Sequence, residues 1–160
     1  MDFNDEQFPS ETSICNMQKG YANDVSISKT NAEIADILSA INWQENSALL
    51  QDLANRAPST NIQNYVSGLV TLNNEDEQEL LGLYKIDVPR KNPILNSFRN
   101  QNFFSIFRTF VKSETSLLNN LINMLVISNS SQQDVITQIL SRRLEALATL
   151  SQIQSNGFFI

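Results

Sequence analysis

The residues of this chain best suited to chemistry are its carboxylates, and they lack the partners that catalysis usually needs. The sequence contains no histidine. That removes the commonest general acid or base, the Ser-His-Asp and Cys-His nucleophile pairs, and the usual zinc ligand. Four carboxylates, Glu33, Asp36, Glu114 and Glu145, fall in segments of helical pattern. Carboxylates on facing helices can hold a pair of iron ions, but that arrangement also uses Glu-x-x-His pairs, which cannot be built here. Glu33 reads instead as half of a capping box with Thr30, and Glu145 as the partner of Arg142 on a solvated face. There is no Gly-rich phosphate loop and no Cys-x-x-Cys pair. The expectation is a non-enzymatic protein with no cofactor and no metal.

Candidates for interaction are easier to find. Glu75, Asp76, Glu77 and Glu79 form an acidic run that could steer a basic partner. Lys85, Arg90, Lys91, Arg99, Arg108 and Lys112 form a basic region, read as a solvated face complementing that run. A net charge of −6 argues against a nucleic-acid partner, because phosphate neutralisation supplies most of such binding. Cys15 is the only cysteine, so it can pair only with another chain. Phe103, Phe107 and Phe110 share one helical face, with Phe104 about 100° around, and read as core. Phe158, Phe159 and Ile160 follow Gly157 as a bulky apolar end that can fold back on its own core or dock on a neighbouring copy.

The elements that position these residues are helical. Only four glycines occur and alternating β-branched runs are nearly absent. The spacing predicts an all-α bundle of five to six helices, ferritin-like or up-down in general shape. Residues 1–27 read as a flexible acidic N-terminal arm, and 28–160 as one helical domain. Within it, halves 28–87 and 92–156 are joined by a linker holding Pro89 and Pro93. Ile34, Ile37, Leu38 and Ile41 begin a helix that either bends at Trp43 or breaks there, and Pro58 ends that pattern. Ser59 or Thr60 caps the next helix, and Asn74 opens another whose first turn is acidic. Asn92 and Pro93 start the second half. Ser131 and Asp134 cap a last helix with the stripe Val135, Ile136, Ile139, Leu140, Leu144, Leu147, Leu150 and Ile153. No stretch is long and apolar enough to span a membrane, and no secretory signal is visible, so synthesis in the cytoplasm is expected.

Two stretches carry a resemblance. One is the track Arg108, Lys112, Glu114 ahead of Leu117, Leu118, Leu121 and Leu125; the other is Ile27 to Ile41, where small and acidic residues sit among isoleucines. Together they resemble small helical proteins of the spore coat and exosporium of spore-forming bacteria. That resemblance implies a non-enzymatic building block of a layer or parasporal body, deposited on or beside a spore. The chain departs from those proteins in having Asn- and Ser-rich helices where theirs are usually Glu- and Lys-rich, but an Asn-, Ser- and Gln-rich surface repels copies of itself weakly and so favours self-association. The function expected is self-association into an ordered assembly. The alternative is a small acidic adaptor or inhibitor that binds another protein.

Overall fold

A computed structural model describes residues 21–89 and 102–156, with side chains from residue 30 onward. Cys15, Pro93 and Phe158 to Ile160 lie outside the described residues, while Pro89 is described and exposed. Five helices are present among those described: α1 Tyr21–Ala40, α2 Trp43–Asn55, α3 Thr60–Tyr84, α4 Phe103–Ile127 and α5 Ser130–Ser155. No strand occurs among them. The chain divides into two compact units, Met1–Ile34 and Ala35–Ile160, and the division falls inside α1. The first unit is described only over residues 21–34, which are helical. Residues 21–27 therefore belong to a helix and not to an arm, and Thr30 lies within that helix instead of capping it.

The second unit is a four-helix bundle made of α2 to α5. Its start is set by Asn42, whose side chain accepts from the Glu45 backbone N–H at 3.0 Å and so ends the ambiguity at Trp43 in favour of two helices. Ser59 caps α3 by accepting from Ile62 N–H at 3.2 Å. The expected break at Asn74 does not exist, because both asparagines there bond across to α2 and leave the helix ladder intact. Asn73 donates to the Trp43 carbonyl at 3.0 Å, and Ser47 donates to Asn74 at 3.0 Å. That continuity removes one helix from the expected count. Helix α3 ends where Lys85 takes a left-handed conformation at φ 55° and returns its N–H to Leu81. Helix α5 starts two residues earlier than expected. Asn129 and Gln132 form a reciprocal capping box, with Asn129 accepting from Gln132 N–H at 2.9 Å and Gln132 accepting from Asn129 N–H at 3.1 Å.

Each helix packs against two others, α2 against α3 and α4, and α5 against α4 and α3. The cross-helix bonds Gln44 to Glu77, Asn46 to Asn73, Asn46 to Glu114 and Arg143 to Asp76 show that neighbours run antiparallel. Helices α3 and α4 thus sit at opposite corners, pointing the same way, and the 85–102 connection joins opposite ends of the bundle. At one end Leu49, Leu50, Leu53, Val66, Phe103, Ile106, Phe110 and Leu150 form a dry core. At the other, Leu80, Leu121, Met124, Ile136 and Ile139 are buried. Between these apolar regions lies a layer of buried polar residues.

Candidate functional site

That layer draws on all four helices. Asn46 comes from α2, Asn73, Asp76 and Glu77 from α3, Glu114 from α4 and Arg143 from α5, and all are buried. Each occupies a core register: Asn46 lies one turn from Trp43 and Leu50, Asn73 lies seven residues from both Val66 and Leu80, and Arg143 lies four from Ile139 and Leu147. Helical geometry therefore turns them inward, and burial obliges them to find partners there.

Arg143 organises the layer. Its Nε and Nη2 donate to the two oxygens of Glu114, both at 2.9 Å, in a bidentate fork. Its Nη1 donates to Asp76 Oδ2 at 2.8 Å, and Nη2 also donates to Asn73 Oδ1 at 2.8 Å. Asn46 closes the ring by donating to Glu114 Oε1 at 2.9 Å and to Asn73 Oδ1 at 3.2 Å. Asn73 in turn donates to the Ser47 hydroxyl at 2.7 Å. The guanidinium carbon lies 5.6 Å from the centre of the Trp43 ring, within range of a cation–π attraction. Arg142, more exposed, donates to the second Asp76 oxygen at 3.1 Å.

Burial pushes the Asp76 carboxyl above its ordinary value of 3.8; attraction to Arg143 and Arg142 opposes the shift without cancelling it. Elsewhere, burial likewise raises the Tyr84 phenol, whose hydroxyl meets Ser128, the C-cap of α4, and so links the end of α3 to the end of α4. Two buried polar atoms near the layer, Trp43 Nε1 and Asn46 Oδ1, have no hydrogen-bond partner. A cavity of about 40 Å³ beside the layer is walled by Leu69, Leu72, Phe110 and Leu147 over Asp76 and Arg143. It has room for ordered water beside the layer.

Chemically, the layer behaves as a carboxylate cage whose cation is supplied by the chain itself. A guanidinium stays protonated throughout the usual pH range, so the layer carries a permanent counter-ion of its own. Among the described residues no group of three or more Asp, Glu, His or Cys is placed to hold a metal ion. Of the four carboxylates first considered for metal, Glu114 alone reaches the layer, while Glu33, Asp36 and Glu145 are exposed.

Several sequence expectations change here. Asp76 and Glu77 are buried, at 2% and 3% exposure, so the acidic run splits into two inward residues and the exposed pair Glu75 and Glu79. Arg142 pairs with Asp76 and approaches Glu79 at 3.9 Å instead of bonding Glu145. The α5 stripe loses Leu144, 55% exposed, while Arg143 beside it points inward. The phenylalanines fall as expected, with Phe103 and Phe110 buried and Phe104 exposed. Asn46, Asn73 and Arg143 were not anticipated; their signal was a polar residue standing at a core register on each helix.

These residues define the molecule as an all-helical bundle with a buried ionic layer centred on Arg143. No known protein family, curated protein or solved structure matches the chain.

Proposed function

We propose that this chain is a non-enzymatic building block that self-associates into an ordered assembly, a layer or body deposited on or beside a spore. One observation carries the reading: apolar side chains are exposed on opposite corners of the bundle. On α4, Ile122 and Val126 are 46% and 74% exposed, one turn apart. On α3, Tyr65 and Leu72 are each 36% exposed and lie about 20° apart around the helix. Two different patches on one subunit favour head-to-tail contacts, which grow into open arrays when the rotation between copies does not close. The interior supports the same reading, because the Arg143, Asp76 and Glu114 charges are spent on one another. The spore setting rests on the resemblance in sequence.

The test is sedimentation velocity over a wide range of protein concentration and salt, on the wild type and on Ile122→Glu/Val126→Glu. Large species that grow with concentration, and shrink in the variant, are expected. A monomer at every concentration would sink the assembly reading and leave the adaptor reading, for which Glu75 and Glu79 are the exposed members of the acidic run.

A further inference from the structure

Four exposed charges, Glu75, Glu79, Arg108 and Lys112, take little part in the bundle's own bonding, and they stand in two regular rows. On α3, Asn61, Tyr65, Gly68, Leu72, Glu75 and Glu79 are all exposed. On α4, Arg108, Lys112, Thr115, Asn119, Ile122 and Val126 are all exposed as well. Both rows advance by four and three residues in turn, the heptad spacing by which one helix lies along another. Each row runs about 27 Å and keeps within about 80° of arc on its helix.

The rows are complementary only when set antiparallel. Aligning Glu79 with Arg108 then places Glu75 on Lys112, Leu72 on Thr115, Gly68 on Asn119, Tyr65 on Ile122 and Asn61 on Val126. Acid meets base at one end, and apolar side chains meet near the other. A parallel alignment instead sets Glu75 and Glu79 on Ile122 and Val126, covering two carboxylates with groups that cannot bond them. The charges are available for such a contact. Glu79 comes no nearer than 3.9 Å to Arg142, too far for a hydrogen bond. Arg108 stacks on Phe104 of its own helix, 4.9 Å from the ring centre, and has no carboxylate partner among the described residues. Glu75 and Lys112 likewise have no ionic partner among the described residues.

Gly68 is a second, independent sign. Glycine is a poor choice inside a helix, yet a Cβ added here would meet nothing within 4 Å. Nothing in the chain itself requires the missing side chain. A helix laid along this row does, because the gap lets two backbones come close between the bulky Tyr65 and Leu72.

We propose that α3 of one copy lies antiparallel on α4 of the next, in this register. The proposal rests on the assembly reading and supplies its contact. The acidic run finds its basic complement on a neighbouring copy. Helices α3 and α4 stand at opposite corners, so a copy that uses its α3 keeps its α4 free, and addition continues as an open filament. One seam of this length buries less than a stable isolated pair needs, so growth sets in only as concentration rises.

The experiment is sedimentation velocity at low salt on two charge-reversed chains, Glu75→Lys/Glu79→Lys and Arg108→Glu/Lys112→Glu. Each alone should need at least about tenfold more protein than wild type to assemble, because like charges then face each other across the seam. Mixed in equal amounts, the two should assemble as wild type does, since every contact regains opposite charges. Gly68→Gln should block growth while the urea midpoint of the single chain holds or rises, because it fills the gap and favours the helix. Reversed chains that assemble like wild type, a mixture no better than its parts, or growth unimpaired by Gly68→Gln would each overturn the proposal and leave the assembly reading standing. A wild type that stays monomeric at every concentration overturns both.

Discussion

Arg143→Met is the most informative perturbation of this bundle. Met fills much the same core volume, so the change removes charge and hydrogen bonds with little change in packing. The two carboxylates then fare differently. Asp76 keeps Arg142 at 3.1 Å, whereas Glu114 keeps only the Asn46 amide at 2.9 Å. The Glu114 side chain is 5% exposed, so its charge is stranded away from water. Breaking a buried ion pair from one side costs about 3–5 kcal/mol. For a domain of this size that corresponds to a fall in melting temperature of roughly 6–20 °C. Trp43, the only tryptophan, lies against the guanidinium and reports both unfolding and the local change. The reasoning also predicts rescue: Arg143→Met/Glu114→Leu should recover most of the loss, since an apolar pair can replace an ionic one at little cost. If Arg143→Met lies within about 1 kcal/mol of wild type, or if the double variant is worse than the single, the ionic layer is not what holds these helices in register.

Two further outcomes follow from the same geometry. The raised Asp76 value means that the folded state holds this proton more tightly than the unfolded chain does, so its contribution is complete below 3.8 and is lost as pH rises through the raised value. Asp76→Asn, which cannot titrate, should therefore show a smaller fall in unfolding free energy than wild type above about pH 4; urea midpoints across a pH series decide this, and identical slopes refute it. Asn129→Ala removes the cap of α5 and should cost about 1 kcal/mol, seen as a lower urea midpoint with an unchanged slope, while a neutral result would mean that the box is only decorative.

Much of the architecture was legible because it rests on local rules. Pro58, Ser59 and the aromatic spacing of Phe103, Phe107 and Phe110 each act within a turn or two, and the structure agrees with them. What escaped was decided by distant partners. Asn74 looks like a cap until Ser47, 27 residues away, is seen bonded to it. Glu75 to Glu79 looks like one acidic surface, yet its two central members are drawn inward by α5 and α2, Asp76 to Arg143 and Glu77 to Gln44. Leu144 and Arg143 are adjacent in sequence. Apolarity alone selects the wrong one for the interior, because a buried arginine is affordable only where carboxylates from other helices await it. The layer was nonetheless half visible as a polar residue at a core register on each of four helices.

The 85–102 connection and the ionic layer together bear on how the chain folds. Helices α2 and α3 form one local hairpin, and α4 and α5 a second. Glu114 and Arg143 are 29 residues apart within the second hairpin, whereas Arg143 and Asp76 are separated by 67 across both. The guanidinium thus finds its first carboxylate early, and its second only when the hairpins meet. Non-local closure is the slow part of folding, because the entropy of ordering the intervening chain is lost before the contact forms. Until then Asp76 and Asn73 are solvated on one hairpin, and only one lengthwise register of the pair brings both to Arg143. Refolding watched through Trp43, which sits on the first hairpin against the arginine of the second, would time that meeting.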